Sequence, residues 1–365
     1  MVSVFPSASV RQRTGVLQRQ LLGSIPKKLK GLASFGLQAL VWTPFVSCNA
    51  NARMAAKQRV AAEMRMYRLL RHTPLAGLML TGVQQLLPLN ARSILNIDFS
   101  NFGGVAVLAA ALQTNKGRAL PWALETLVSN TQGLKQDHPG YARRKAAYQT
   151  WKQTTDGDQY DLVVRLVNHI DEAAGCQPSL VFDRGFGNKR ILTALFNRTG
   201  YSYVRLRDDC QIMVLRPGVY GGRQHIRDLP EGSYCITWKG LTFRLVVATT
   251  GKPKENVQPW AIATNDPDST PKQIARLYYH RFEIEETFRD WKSGLGLGKV
   301  RLQRWQSLQV LLAFASVATA FAWLAQQVGQ VTIPVHCKKQ LSFFRCWHEA
   351  LHRTVGKDWI ILQSG

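Results

Sequence analysis

The stretch "SILNIDFSNFGGVAVLAAALQTNKGRALPWALETLV", residues 93–128, carries the pattern from which the fold is predicted. It contains three apolar segments, at 93–100, 105–114 and 117–128, which turn residues separate. Apolar segments of this length between turn residues are typical of β-strands. The alanines of the second segment would also suit a helix, but its position between two strands favours a strand. Pro121 indicates an edge or a bulge, because proline has no backbone N–H to donate.

The segments after this meander alternate between helix and strand. Helices are predicted at 140–152 and 157–174, and "PSLVF" (178–182) is typical of a buried strand before a glycine loop and a helix. After the strand "YSYVRLR", residues 211–250 are predicted to be all-β, and "PWAIATN" (259–265) adds one more strand. This order predicts an α/β fold in which helices cover a mixed sheet. A ribonuclease H-like core is one candidate among several.

The segment "STPKQIARLYYHRFEIEETFRDWK", residues 269–292, predicts one long helix. Ser269 or Thr270 suits the N-cap, and Pro271 suits the first helical position. Gly294 supplies the stop. Five residues spaced by three or four positions would share one face of this helix. They are Tyr278, Arg281, Glu285, Arg289 and Lys292. Such a face is either a surface ladder of ion pairs or part of a site.

The charge balance is strongly basic. The chain has 47 Lys and Arg against 23 Asp and Glu, a net charge of +24. Residues 1–97 hold 13 of the basic residues and a single acid, Glu63, so this quarter carries half of the excess. Such an excess predicts an anionic partner, most often nucleic acid, with an anionic membrane surface or a solvated basic face as alternatives. We therefore predict a small basic helical DNA-binding domain at 1–90, with helices at 52–72 and 75–87.

Two features bear on the compartment. The six cysteines show no CxxC pair and no zinc spacing, which is typical of reduced thiols in a cytosolic protein. No apolar segment precedes the first arginines, so a signal peptide is not expected. The apolar stretch 310–325 is shorter than the roughly 20 residues of a membrane span, so we predict a buried helix there and no membrane association.

Three acidic residues lie at positions that suggest a specific role for the carboxylate. Asp98 lies inside the apolar strand "ILNIDFS", where an ionised carboxylate is costly unless it is paired or binds a metal; the alternative is a cap on the following turn. Asp183 follows the strand "SLVF", at the strand end where catalytic groups of α/β sheets gather; the alternative is a cap on the next helix. For Glu285 on the long helix the alternative is a surface ion pair, and Glu283 and Glu286 compete with it. Together, two strand carboxylates and one helix carboxylate are a donor set for two Mg²⁺ ions, roughly 4 Å apart, on a phosphodiester.

The chain resembles the DDE transposases of bacterial insertion sequences, in the group named after insertion sequence four. The signature of that group is Tyr-x2-Arg-x3-Glu-x6-Lys, and four residues match it at every spacing: Tyr278, Arg281, Glu285 and Lys292. "LNIDFS" resembles the family's first-Asp strand, "GRALPW" its third strand and "VFDRGFGNK" its second-Asp turn. The resemblance covers about 93–325. It implies a ribonuclease H-like catalytic domain at 91–330, with 207–257 as an all-β insertion, and leaves 331–365 as a C-terminal helical segment of unknown role.

The resemblance also implies roles for individual residues. Asp98, Asp183 and Glu285 would be the catalytic, metal-binding triad. The phosphate backbone at the transposon end would be contacted by Tyr278, Arg281, Lys292 and Arg289. Trp260 would stack on an extruded base, although an aromatic core residue is an equal alternative.

The implied activity is Mg²⁺-dependent phosphoryl transfer, for which Mn²⁺ could substitute. It would cut double-stranded DNA at the terminal inverted repeats and join the freed 3′-hydroxyl to target DNA. A homodimer on DNA and a bacterial cytoplasmic, nucleoid-associated location are implied. The alternatives are a degenerate transposase that acts as a DNA-binding repressor, and a nuclease of the same fold that joins nothing.

Overall fold

The computed structural model describes most of the chain between residues 67 and 329. The described residues are Met64, Asp137, Leu302 and the ranges 67–102, 105–128, 141–155, 158–215, 222–249, 259–300 and 304–329. Of the helix predicted at 52–72, Met64 and residues 67–71 are described, and they are helical. The segment 331–365 lies outside the described residues.

Ten strands form one mixed sheet. In chain order they are β1 (Ile94–Phe102), β2 (Val105–Leu112), β3 (Leu120–Val128), β4 (Ser179–Phe182), β5 (Ser202–Arg205), β6 (Gln211–Leu215), β7 (Arg223–His225), β8 (Gly232–Trp238), β9 (Leu241–Ala248) and β10 (Trp260–Thr264). Their order across the sheet is β3-β2-β1-β4-β5-β10-β9-β8-β6-β7. The predicted meander and the mixed sheet are confirmed. The all-β segment extends this same sheet beyond β10.

Besides the helical residues 67–71, seven helices of the described ranges accompany the sheet. They are α1 (Pro74–Leu86), α2 (Tyr141–Thr155), α3 (Gln159–Ala174), α4 (Lys189–Phe196), α5 (Pro271–Tyr279), α6 (Phe282–Arg289) and α7 (Trp305–Gly329). A π-helical turn, Asp290–Gly294, follows α6. Thr270 is the N-cap of α5 in a capping box with Gln273, as its sequence predicts. No helix of the described part combines the length and apolarity that a membrane span needs.

Alternate residues of the strands pack on opposite faces of the sheet. On β4, Leu180 and Phe182 belong to the larger buried cluster, whereas Val181 belongs to a smaller cluster with Tyr278 of α5. Because side chains alternate along a strand, these clusters lie on the two faces. The sheet is therefore covered on both sides, which explains why its central strands are almost wholly apolar.

Helix α1 shares the larger core with the sheet. Leu75, Met79 and Val83 are fully buried there, and α1 packs against both α7 and β3. The indole N–H of Trp122 on β3 donates to the carbonyl of Leu87, 2.9 Å away. The segment 310–320 of α7 is buried as predicted. The domain boundary predicted at residue 90 stays a prediction. Helix α1 precedes this boundary in the sequence, but it packs on the sheet that follows it.

Pro121 lies on β3, which is the first strand of the sheet and therefore an edge. The pairing of β2 with β3 shifts register between Ala110 and Ala111, so that Ala110 faces Ala123 and Ala111 faces Pro121. A proline at an edge bulge leaves no ladder hydrogen bond unmade in the sheet interior. The predicted edge and the predicted bulge are both present.

The prediction of one long helix over 269–292 is wrong. The chain breaks between α5 and α6, where the N–H of Arg281 bonds the carbonyl of Tyr278 and the N–H of Glu283 bonds that of His280. These are three-residue, not four-residue, hydrogen bonds, so the turn tightens. The side-chain amide of Asn96 on β1 also donates to the His280 carbonyl at 3.0 Å. Residues before and after this break therefore do not share one straight face.

Candidate active site

The sheet register places the two predicted aspartates on neighbouring strands. Strands β1 and β4 are parallel, with Ile97 opposite Phe182. Asp98 and Asp183 directly follow these partners, so they lie at the same level and on the same side. Neighbouring strands are about 4.8 Å apart, which brings the two carboxylates within electrostatic range. Accordingly, Asp183 contributes to the raised pKa of Asp98.

Asp98 is held inside its strand. One carboxylate oxygen accepts the backbone N–H of Phe99 at 2.8 Å, and the other accepts Nη1 of Arg281 at 3.2 Å. Its side chain is 16% exposed. Burial, only partly offset by Arg281, raises the pKa of Asp98 to about 6. The alternative of a turn cap is wrong, because Asp98 lies within β1, which continues to Phe102.

Asp183 stands at the C-terminal end of β4, before a short 3₁₀ turn, Arg184–Phe186. Its side chain makes no capping hydrogen bond to that turn, so the alternative of a structural cap is wrong. The turn is anchored instead by Phe186, which stacks on Phe99 with ring centroids 5.4 Å apart. The carboxylate of Asp183 is thus left free of the local backbone.

Arg281 connects the strand carboxylate to the helix carboxylate. Its Nη1 lies 3.2 Å from Asp98, and its Nη2 donates to Oε1 of Glu285 at 2.6 Å. Only 5% of the Arg281 side chain is exposed. Its Nε is buried without a hydrogen-bond partner in the part of the chain that the structure describes. The guanidinium of Arg281 therefore holds the carboxylates of Asp98 and Glu285 near each other.

The three glutamates of α6 are separated clearly by their surroundings. Glu283 is 5% exposed and accepts the backbone N–H groups of Thr114 at 2.9 Å and Gly117 at 3.1 Å. Glu286 pairs with Arg289, on a different side of the helix. Glu285 is 45% exposed, and it forms an ion pair with Arg281. Of the three, Glu285 is therefore the one that faces Asp98.

Tyr278 and Trp260 pack together beside the carboxylates. Tyr278 is fully buried, and its hydroxyl has no hydrogen-bond partner among the described residues. Burial raises the pKa of Tyr278 far above its ordinary value. Trp260, half-buried on β10, meets the Tyr278 ring at 5.1 Å edge-on and the Phe282 ring at 6.1 Å. Tyr278 is therefore part of the buried packing beside the carboxylates, whereas part of the Trp260 side chain is exposed.

The structure separates the other two predicted cations from Glu285. Arg289 pairs with Glu286 at 2.7 Å, and its side chain is 68% exposed. The ammonium of Lys292 lies over the Phe102 ring, 5.3 Å from its centroid. Lys292 belongs to the π-helical turn, which changes the angular positions of the residues after α6. The single face that the spacing predicts is therefore interrupted at Tyr278, before the break, and at Lys292, in the π-helical turn; Glu285 and Arg289 keep their helical spacing, and Arg281 and Glu285 meet.

Arg205 is a neighbour of the site that the sequence analysis missed. Phe182 pairs with Val204 on β5, so Arg205 continues the row formed by Asp98 and Asp183. Its Nε is buried and has no hydrogen-bond partner among the described residues. The signal for it was an arginine in the apolar strand "YSYVRLR", where a buried charge needs an anionic neighbour.

The carboxylates suit a divalent cation by their chemistry, because Mg²⁺ prefers oxygen ligands. Their positions, however, do not form a complete metal site. No group of three or more His, Cys, Asp or Glu side chains in the described residues is placed to hold a metal ion. Asp98 and Asp183 stand side by side, while the carboxylate of Glu285 bonds Arg281. The three carboxylates thus suit a metal ion by their chemistry. To bind it, Glu285 would have to give up its ion pair with Arg281.

Comparison with known proteins agrees with this reading of the site. Residues 148–321 match a family model described as a transposase DDE domain. The matched segment includes Asp183, Arg281 and Glu285, and Asp98 precedes it. The match supports a DDE transposase, a class of enzyme that performs phosphoryl transfer on nucleic acid. No curated protein matches the chain.

Proposed function

We propose that this protein is a transposase that cuts the ends of its own insertion sequence and joins them to target DNA. The observation that carries the proposal is the row of Asp98 and Asp183 on parallel strands, with Glu285 brought to Asp98 through Arg281. A strongly basic chain with such a carboxylate group suits an enzyme that acts on a polyanion. The signature spacing supports the insertion-sequence-four group.

Asp98, Asp183 and Glu285 are proposed as the catalytic residues and as the ligands of two Mg²⁺ ions. When bound, the metal would supply an activated water and offset the charge that develops on the phosphate. The chain's own part is positional. Strands β1 and β4 fix the two aspartates, and α6 presents Glu285, which Arg281 joins to Asp98. Catalysis would then depend mainly on alignment and electrostatics.

The cations beside the carboxylates are proposed to bind the DNA backbone. Arg281 would exchange a carboxylate for a phosphate, which a planar guanidinium binds in the same two-pronged way. Lys292 would add a further phosphate contact, and Arg289, the most exposed of the three, a weaker one. Trp260 would offer its exposed edge to a base. A direct phosphate contact by Tyr278 would require its buried hydroxyl to become accessible.

The wider arrangement follows from the proposed reaction. Two DNA ends must be joined in one event, so a homodimer on DNA is proposed, in the bacterial nucleoid. The basic region 1–90 would bind the terminal inverted repeats, while the catalytic domain at 91–330 would cut them. The all-β segment 207–257 is proposed as an insertion that extends the catalytic sheet.

The test is cleavage of a duplex that carries the inverted repeats flanking the reading frame. Wild-type protein with Mg²⁺ is expected to nick this duplex and, with target DNA, to give a joined product. Asp183→Asn should bind the duplex but cut it at least about 10³-fold more slowly. Cutting without joining would favour the nuclease, and binding without cutting would favour the repressor. Cleavage by Asp183→Asn at the wild-type rate would remove Asp183 from the site.

A further inference from the structure

A crevice of about 550 Å³ lies apart from the carboxylates, where the residues before α1 meet α2 and the first turn of α7. Two arginines line it from distant parts of the sequence: Arg71 precedes α1, and Arg304 precedes α7. Both are exposed, and neither has an ion-pair partner among the described residues. No acidic residue is among the described residues that line the crevice. The crevice is therefore a concave surface with uncompensated positive charge.

The first turn of α7 forms one wall of this crevice. Trp305, Gln306 and Ser307 line it, and the helix runs for 25 residues with no acid in its first turn. The first N–H groups of a helix have no partner within it, and its dipole favours an anion there. This end of α7 thus offers backbone donors beside two guanidinium groups.

Two hydroxyl groups in the lining can donate to a ligand in the crevice. Ser307 is only 7% exposed, and its hydroxyl has no hydrogen bond to any described residue. Thr73, at the N-cap of α1, makes no side-chain capping hydrogen bond. Two arginines, a helix N-terminus and free hydroxyls are the groups that bind a phosphate.

We propose that this crevice binds the phosphodiester backbone of duplex DNA, at a position separate from the carboxylates. The inference rests on the proposed function, which makes DNA the substrate. A single phosphate would fill little of the volume, whereas a sugar-phosphate segment is of the right size. Each arginine would neutralise one phosphate and release its counterions. The crevice holds the duplex while the carboxylates act elsewhere on it.

The test measures binding of the full chain to a labelled duplex of random sequence, in EDTA, over a series of NaCl concentrations. The double variant Arg71→Ala/Arg304→Ala should bind several-fold more weakly and lower the salt slope by about 2, because each lost phosphate contact removes about 0.9. Arg223→Ala, an exposed arginine on the edge strand β7, is the matched control and should leave the slope unchanged.

Gln306→Glu separates a binding role from a structural one. It keeps the side-chain size and adds a negative charge where the helix dipole favours one. It should therefore preserve or raise Tm while weakening duplex binding. A loss of binding that merely follows a loss of Tm would contradict the proposal. An unchanged affinity and salt slope in both the double variant and Gln306→Glu would overturn it.

Two further arms identify the ligand and isolate the proposal. Inorganic phosphate, compared with chloride at equal ionic strength, should raise the Tm of wild type more than that of the double variant; such a rise together with unchanged duplex binding in the double variant would assign the crevice to free phosphate and overturn the assignment to DNA. At limiting protein with terminal-repeat duplex and Mg²⁺, cleavage by the double variant should fall in proportion to its loss of binding, whereas Arg223→Ala should cut at the wild-type rate. Absence of cleavage in wild type would count against the proposed function alone, since the binding arm contains no metal.

Discussion

The two sides of helix α6 carry the same kinds of residue and use them differently. On the inner side, Glu283 bonds the backbone of the β2–β3 loop, and Thr287 exchanges hydrogen bonds with Ala119 of that loop at 3.1 and 2.7 Å. Asp290 extends this side with an ion pair to Arg118 at 2.7 Å. On the outer side, Glu285 meets the guanidinium of Arg281 and is nearly half exposed.

This difference shows how one helix both anchors and presents a charge. The inner carboxylates are satisfied by fixed backbone and side-chain donors, so they stabilise the fold. The outer carboxylate is paired with one cation, which a phosphate can draw away. Sequence position alone does not separate Glu283 from Glu285, and their surroundings do. The following predictions either sharpen this contrast or break it.

The largest expected stability effect is that of Glu283→Gln. An amide can accept only one of the two backbone N–H groups and turns a donor toward the other, so we expect a loss of about 2–4 kcal/mol in the free energy of unfolding. Urea denaturation measures it. Glu286→Gln is the control: its 29% exposed side chain pairs with Arg289 at 2.7 Å and with Arg118 at 3.5 Å and accepts no backbone N–H among the described residues, so the change should stay below about 1 kcal/mol. Equal effects in the two variants would contradict the anchoring role of Glu283.

The second prediction concerns pH. The pKa of Asp98 is raised by burial from 3.8 to about 6 in the folded protein. The folded state therefore holds this proton more tightly, and that stabilisation is fully present below about pH 4 and lost as pH rises past 6. Asp98→Asn removes the ionised form and should be more stable than wild type at pH 8, by about 1–3 kcal/mol.

Thermal unfolding in EDTA at pH 4, 6 and 8 measures this difference. The advantage of Asp98→Asn should be the same at pH 8 as just above pH 6 and should shrink as pH falls from about 6 to 4. The loss of its hydrogen bond to Arg281 acts in the opposite direction and sets the lower end of the range. A stability difference that is independent of pH would contradict the raised pKa of the buried Asp98 carboxylate.

The smallest expected effect is that of Arg289→Ala. Its pair with Glu286 is exposed to solvent, so the free energy of unfolding should change by no more than about 0.5 kcal/mol. Duplex binding should weaken less than in Arg281→Ala, whose guanidinium reaches the carboxylates directly. Salt-dependent binding compares the two variants. A larger loss in Arg289→Ala would place the DNA path on the other side of α6.

The sequence was sufficient for the strands and insufficient for the turn between α5 and α6. Apolar segments with turn residues between them predict β1 to β5 closely, and Pro121 predicts the edge. The break at His280 depends on Asn96, which lies far away in the sequence and close in the fold. Helical periodicity contains no such information, so the predicted five-residue face was too long.

The candidate site divides in the same way. Asp98 and Asp183 could be selected because an acid at those positions of a strand is costly without a role. Their alignment with Arg205 needed the sheet register, which the sequence does not contain. The choice of Glu285 over Glu283 likewise required the contacts of Thr114 and Gly117. The sequence alone does not show which group each of these carboxylates contacts.

The central claim is that α6 anchors through Glu283 and acts through Glu285. The direct measurement is the single-turnover rate of terminal-repeat cleavage with Mg²⁺ for Glu285→Gln and Glu283→Gln, at a temperature where both are folded. We expect Glu285→Gln to lose at least about 10³-fold in rate with little change in stability. Glu283→Gln should cut within about tenfold of wild type although it is less stable. Wild-type cleavage by Glu285→Gln, or its loss in folded Glu283→Gln, would contradict the account.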